Sequence, residues 1–194
     1  MSEKIYNGDF PNKKYKTIYA DPPWQQVTTG VYNKTRPKRP QVIPYSTMNK
    51  ESIASLMVGD LAEVGCHLWL WTSNQFLRAG FDVMEAWGFK YLAPITWLKP
   101  SGCGNYFVHR TQTMLFGYKE KCIFPMGRYK PTVLIAGLPK HHSEKPTEAY
   151  DLIESISPEP RIELFARKQR TGWDCWGNEV EKLLIETKSK GEET

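Results

Sequence analysis

The sequence lacks any apolar run near the roughly 20 residues that a membrane-spanning helix needs. It also lacks an apolar h-region near its amino terminus, where the stretch MSEKIYNGDFPNKKYK is polar, so no secretory signal is expected. Its four cysteines, at 66, 103, 122 and 175, form no C-x-x-C pair, and only Cys66 has a histidine beside it. That spacing disfavours a structural zinc site and leaves no metal expected. With the missing signal, it points to reduced thiols in the cytoplasm. No G-x-G-x-x-G follows an apolar run, so the common dinucleotide fingerprint is missing. Acidic residues are absent between Trp24 and Glu51, where Lys34, Arg36, Lys38, Arg39 and Lys50 all fall.

Aromatic residues are not scarce. They make up 13% of the 194 residues and include seven tryptophans, enough apolar surface to offset the ordering entropy of a core, which excludes wholesale disorder. The length suits one domain, 1–194. The net charge of +5 permits a polyanionic partner without specifying one. The sign alternation after Glu179 reads as a solvated helix or tail over 181–194.

Apolar runs rich in β-branched and aromatic residues recur at 17–20, 67–72, 91–98, 113–118, 132–136 and 161–166. Several lack polar alternation, as strands covered on both faces do. Helical patterns lie between them. Asn49 is placed to cap a short helix carrying Ile53, Leu56 and Met57. Residues 74–87 put Leu77, Phe81 and Met84 on one face and stop at Gly88. Pro146 suits a first helical turn, followed by Tyr150, Ile153 and Ile156. This alternation predicts an α/β fold with a mostly parallel sheet and helices on both faces. The scattered histidines read as polar loop residues. Residues 25–46 have little periodicity and read as a long, mobile substrate loop.

Open α/β sheets bind ligands beyond the carboxyl ends of their strands. At one such end the run Ile18-Tyr19-Ala20 meets Asp21-Pro22-Pro23-Trp24. Two prolines stiffen the turn and leave carbonyl acceptors. Asp21 supplies a carboxylate, and Trp24 a flat platform. Such a set suits an exocyclic amine on a planar base, with acceptors for both amine protons and an indole for stacking. A rigid turn around a buried tryptophan is the competing reading. Lys99, at the end of another run, is a further candidate for touching a substrate.

The chain resembles the DPPW-motif N6-adenine methyltransferases, the family of the catalytic subunit of the eukaryotic mRNA adenine methyltransferase. The resemblance runs from about Tyr15 to Val180. It includes Leu68-Trp69-Leu70-Trp71, Ala86-Trp87-Gly88-Phe89, Thr96-Trp97-Leu98-Lys99-Pro100, His142-Ser143-Glu144-Lys145-Pro146, Ile162-Glu163-Leu164-Phe165-Ala166-Arg167, and Trp173 with Gly177-Asn178. It implies a small stand-alone member of bacterial or phage type, acting in the cytoplasm of the bacterial or phage-infected cell. It further implies a Rossmann-like methyltransferase fold with permuted motif order, and S-adenosylmethionine as donor with S-adenosylhomocysteine as product. By the resemblance, Asp21, Pro22, Pro23 and Trp24 are catalytic. Asp9, Asp21, Lys145, Glu163, Phe165, Arg167, Gln169, Asn178 and Glu179 are the cofactor positions. Lys145 would hold the methionine carboxylate, with Arg167 and Asn178 at the ribose, and the loop with Asn105, His109 and Arg110 would face the substrate. Gln112 and Lys168-Gln169-Arg170 depart from the family pattern.

The expected reaction is methyl transfer to the N6 amine of adenine in DNA, with base flipping, because a base inside a duplex cannot reach a buried donor. Lys34, Arg36, Lys38 and Arg39 would take phosphates, and Tyr32 and Tyr45 would stack. Two alternatives stand. One is the same reaction on RNA, and the other is a non-catalytic nucleic-acid-binding subunit of a two-chain methyltransferase. A homodimer or partner subunit would add specificity.

Overall fold

The computed structural model describes residues 10–25, 47–103, 106–124, 129–139 and 144–177. Most of the expected 25–46 loop and the whole 181–194 tail lie outside the described residues.

Seven strands form one sheet: β1 (Tyr15–Ala20), β2 (Ala62–Thr72), β3 (Lys90–Cys103), β4 (His109–Tyr118), β5 (Val133–Ile135), β6 (Arg161–Leu164) and β7 (Asp174–Trp176). Their order across the sheet is β5-β3-β4-β2-β1-β6-β7. The pairs β1–β2, β1–β6, β3–β5 and β6–β7 are parallel, while β4 runs against both β2 and β3. One reversed strand in a parallel sheet is the expected mostly parallel α/β arrangement, a Rossmann-like methyltransferase fold.

Side chains alternate between two buried layers, which explains the unbroken apolar runs. Ile18, Leu68, Leu70, Leu115, Ile162 and Leu164 point to one layer with Ile53 of α1 (Lys50–Ala54) and Val83 and Met84 of α2 (Leu77–Ala86). Tyr19, Trp69, Trp71, Met114 and Phe116 point to the other with Ala149 and Ile153 of α3 (Thr147–Glu154). Helices therefore cover both faces, as expected.

Local signals set the helix ends. Asn49 Oδ1 accepts from the Ser52 amide at 2.8 Å, an N-cap bond. Gly88 follows the Trp87 cap with φ +78°, the left-handed turn that ends α2. Residues 74–76 form a 3-10 turn, and α2 itself starts at Leu77. Its buried face is Gly80, Val83 and Met84, and Phe81 is exposed against Tyr91. The expected Leu77–Phe81–Met84 stripe is thus rotated. The cause is Gly80, which lets α2 approach so closely that a Cβ there would sit 2.4 Å from Thr72 Cγ2.

His67 overturns its reading as a loop residue, since it lies fully buried within β2. Its Nε2 donates to the Ile123 carbonyl at 2.9 Å, which leaves Nδ1 to accept from Ser157 Oγ at 2.8 Å. Ser157 Oγ in turn accepts from Trp69 Nε1 at 2.9 Å. Burial lowers the pKa of the imidazole.

Candidate active site

Ala20 ends β1 in register with Leu70 of β2 and Leu164 of β6. The chain leaves β1 toward β2 on one side and returns through α3 to β6 on the other. The crevice beyond β1 and β6 is therefore the topological switch point where such sheets bind ligands. Asp21 emerges there, and so does Phe165.

Asp21 Oδ2 is ion-paired with Lys145 Nζ, which comes from just before α3. The Lys145 side chain is 8% exposed and that of Asp21 20%, so the pair is screened little by water. The Lys145 ammonium also lies 5.5 Å from the centre of the Trp71 ring, a cation–π contact. Asp21 and Lys145 are 124 residues apart, and only the family resemblance links them in the sequence.

The two prolines do not leave bare carbonyls as expected. Pro22 O accepts from the Trp24 amide at 2.8 Å, and Pro23 O from the Met48 amide at 2.8 Å. Each oxygen keeps a second lone pair for another donor. Trp24 differs from the open platform expected of it, because its ring is only 9% exposed. Its Nε1 donates to the Trp71 carbonyl at 3.0 Å, and one face stacks on Phe76 at 5.6 Å. Trp24 and Met48 form a short parallel bridge, and the Gln25 amide donates to the Met48 carbonyl.

Glu163 lies one residue before the end of β6, opposite Tyr19, and is 8% exposed. Its Oε1 accepts from the Tyr150 hydroxyl of α3 at 2.9 Å. Burial raises its pKa to about 7, and the nearby Asp21 charge adds to that. The Tyr150 bond, Arg170 and Lys145 pull the other way. Beneath it, Tyr19, Tyr150 and Trp173 pack edge to face. The Tyr19 hydroxyl accepts from Trp71 Nε1 at 2.7 Å, and burial pushes its own proton loss well up.

Phe165 holds φ +63°, a left-handed conformation that costs a non-glycine residue of order 1–3 kcal/mol and gathers at ligand sites. It packs edge-on against Trp176 of β7. Next to it, a Cβ on Gly177 would come within 2.5 Å of the Ala166 carbonyl. The two segments therefore approach along their backbones, as a cradle for a ligand does. β7, which supplies Trp176, carries no apolar run and is not legible in the sequence.

Arg167 is half-buried near this cradle and Gln169 is exposed. Lys168 leaves the cradle for a 2.7 Å ion pair with Glu144. Arg170 stacks on Tyr150 at 4.4 Å and bonds Glu154 at 3.2 Å. The structure thus brings together Asp21, Pro22, Pro23, Lys145 and Glu163, with Phe165 just past the neighbouring strand end and Arg167 following it in the chain. Lys99, His109 and Arg110 stand apart on the β3–β4 hairpin. Asp9, Tyr32, Lys34, Arg36, Lys38, Arg39, Tyr45, Asn105, Asn178 and Glu179 lie outside the described residues. Sequence reasoning missed Tyr150 and Trp71 as neighbours of the site. The only signal for either was its place on an apolar helix face or strand.

S-adenosylmethionine carries a carboxylate, ribose hydroxyls and a sulfonium. The buried Lys145 fits the first, the hydrogen-bond donors of Arg167 suit ribose hydroxyls, and the carboxyls of Asp21 and Glu163 suit a cation. The residues present fit the group. Among the described residues, no three His, Cys, Asp or Glu side chains gather as metal ligands, and no helix is long and apolar enough to cross a membrane.

The MT-A70 family model matches residues 15–179. The chain is 32% identical to the type II methyltransferase M.MunI of Mycoplasma sp, over 94% of this chain and 84% of that protein. It is 28% identical to the human N(6)-adenine-specific methyltransferase METTL4, over 88% of this chain and 38% of METTL4. It is 26% identical to the zebrafish (Danio rerio) N(6)-adenosine-methyltransferase subunit METTL3, over 89% of this chain and 29% of that subunit. The chain thus spans most of the bacterial relative and well under half of the two animal ones.

Proposed function

The chain belongs to the MT-A70 family, and from that premise we propose that it transfers a methyl group from S-adenosylmethionine to the N6 amine of adenine in DNA. The carrying observation is the Asp21 carboxylate at the switch point, set between Lys145 and the strained end of β6. DNA is favoured over RNA because the chain matches a bacterial type II methyltransferase over nearly the whole of both proteins.

Lys145 would hold the cofactor carboxylate, with Arg167 and the Phe165–Gly177 cradle at its nucleoside end. When bound, S-adenosylmethionine supplies an electrophilic methyl group on a positively charged sulfur. The chain's own residues orient the acceptor. Asp21 and the free lone pair of the Pro22 carbonyl accept the two hydrogens of the adenine amine, which aims the nitrogen lone pair at the methyl. The carboxylate also stabilises the positive charge that grows on this nitrogen as the bond forms. Trp24, fixed by its bond to Trp71, keeps the Pro-Pro turn rigid. With a carboxylate to pair with, Lys145 would leave Asp21 Oδ2 available as a second acceptor.

Labelled S-adenosylmethionine with duplex DNA, single-stranded DNA and RNA tests this reading, followed by hydrolysis and assay for N6-methyladenine. Label in DNA adenine is expected. Asp21→Ala should abolish transfer and leave the cofactor dissociation constant nearly unchanged, whereas Lys145→Ala should weaken cofactor binding. Label in RNA alone would select the RNA reading. Cofactor binding with no nucleic acid labelled would leave the non-catalytic subunit reading.

A further inference from the structure

We propose that Tyr106 and Phe107, at the tip of the β3–β4 hairpin, are an apolar wedge that enters the base stack of duplex DNA and fills the gap left by the flipped adenine. This rests on the DNA-adenine reading above.

The hairpin outgrows the rest of the sheet. β2 ends at Thr72, paired with Thr113, yet β4 begins four residues earlier, at His109. At about 3.4 Å per residue the two arms stand roughly 13 Å past the end of β2. They project on the carboxyl side of β1, the side where Asp21 emerges. Tight contacts stiffen the overhang. Gly102 lets the arms close to backbone distance, since a Cβ there would lie 2.3 Å from the His109 carbonyl. Arg110 Nε donates to the Lys99 carbonyl at 3.1 Å. Asn74, just beyond β2, bonds Thr111 Oγ1 and His109 Nδ1, each at 3.2 Å.

On this braced stem sit Tyr106, Phe107 and Val108, which are 80%, 78% and 63% exposed. Three consecutive large apolar side chains in water have no folding role, and such exposure marks a surface made to meet a partner. The charges around them select the partner. Residues 86–119 contain no Asp or Glu, and every charged residue among them is Lys or Arg. Lys99 and Arg110 lie on the overhang just below the tip. An apolar tip over a cationic stem, in a stretch of chain without acids, matches bases flanked by phosphates. Proteins that unstack duplex DNA insert apolar side chains between base steps in this way. The site needs such a device, because extruding a base costs a few kcal/mol in lost stacking and pairing.

The experiment first maps the adenines that the wild-type protein methylates in plasmid DNA. Oligonucleotide duplexes are then built on one mapped site in two forms, fully paired and with a mismatch opposite the target adenine. On the paired duplex, the Tyr106→Ser/Phe107→Ser variant should methylate at least about tenfold more slowly than wild type. It should also lose the fluorescence rise of 2-aminopurine placed at the target. On the mismatched duplex, where little pairing is left to break, its rate should return to within about twofold of wild type. Phe107→Leu, which keeps an apolar wedge, should keep most of the paired-duplex rate. Cofactor affinity and melting temperature should not move, since both side chains are in water.

Wild-type rates on the paired duplex would overturn the wedge. So would an equal loss on both duplexes, which marks a binding contact and not a flipping device. A wild-type protein that binds cofactor and methylates no DNA would instead refute the underlying reading, and the wedge with it.

Discussion

Glu163 sits where burial and a neighbouring carboxylate both oppose its charge, so its proton is lost only near pH 7. A cofactor with hydroxyl donors and a positive sulfur meets a better acceptor in the ionised form. Affinity for S-adenosylmethionine should therefore rise as pH climbs through about 7, and Glu163→Gln should flatten that rise in calorimetric titrations. The same group acts on stability with the opposite slope. Its folded pKa lies above the usual carboxyl value of about 4.3, so its contribution is present at low pH and fades as pH rises toward 7. His67 runs the other way. Its folded pKa is depressed, so its contribution is complete above the unfolded value of about 6.5 and is lost as pH falls toward the folded one. An NMR titration should find this imidazole still neutral at the pH of about 6.5 where an unperturbed imidazole is half protonated. Half-protonation at or above that pH would break the Ile123–His67–Ser157 assignment. The motif around Asp21 is legible in the sequence because its residues are contiguous. Its partnership with Lys145 is not, because nothing local encodes a contact that β1 and α3 make only once the sheet forms.

At the level of elements, the contact of α2 with β2 and β4 rests on Gly80. Alanine normally gains about 0.5–1 kcal/mol over glycine inside a helix. Here the added methyl would press on the branched, buried Thr72 at 2.4 Å and on Leu115 at 3.2 Å, and overpacking of this kind costs about 1–3 kcal/mol. The second effect exceeds the first, so Gly80→Ala should lower the melting temperature, and an unchanged or raised value would show that α2 can lift without cost. Six of the seven strands are readable as apolar runs, β1, β2, β4 and β6 because the sheet is covered on both faces there. β7 is not, since Asp174-Cys175-Trp176 is three half-buried residues whose strand character comes from pairing with β6. The apolar run marks only 91–98 of β3, which continues to Cys103, because the overhanging part has no layer to cover it and so carries no apolar pattern.

For the whole molecule, the net charge of +5 matters less than where it lies. The logarithm of the affinity for duplex DNA should fall linearly with the logarithm of salt concentration. Lys99→Ala together with Arg110→Ala should reduce that slope by about two, one for each phosphate no longer neutralised. An unchanged slope in a binding series over several salt concentrations would remove both residues from the interface. The Trp24–Met48 bridge has a consequence at this scale as well. It fastens the chain on either side of residues 26–46 to one point beside the sheet. The bridge therefore works as a clasp: two points far apart in the chain hold each other, and the Pro-Pro turn behind Asp21 is braced from both sides.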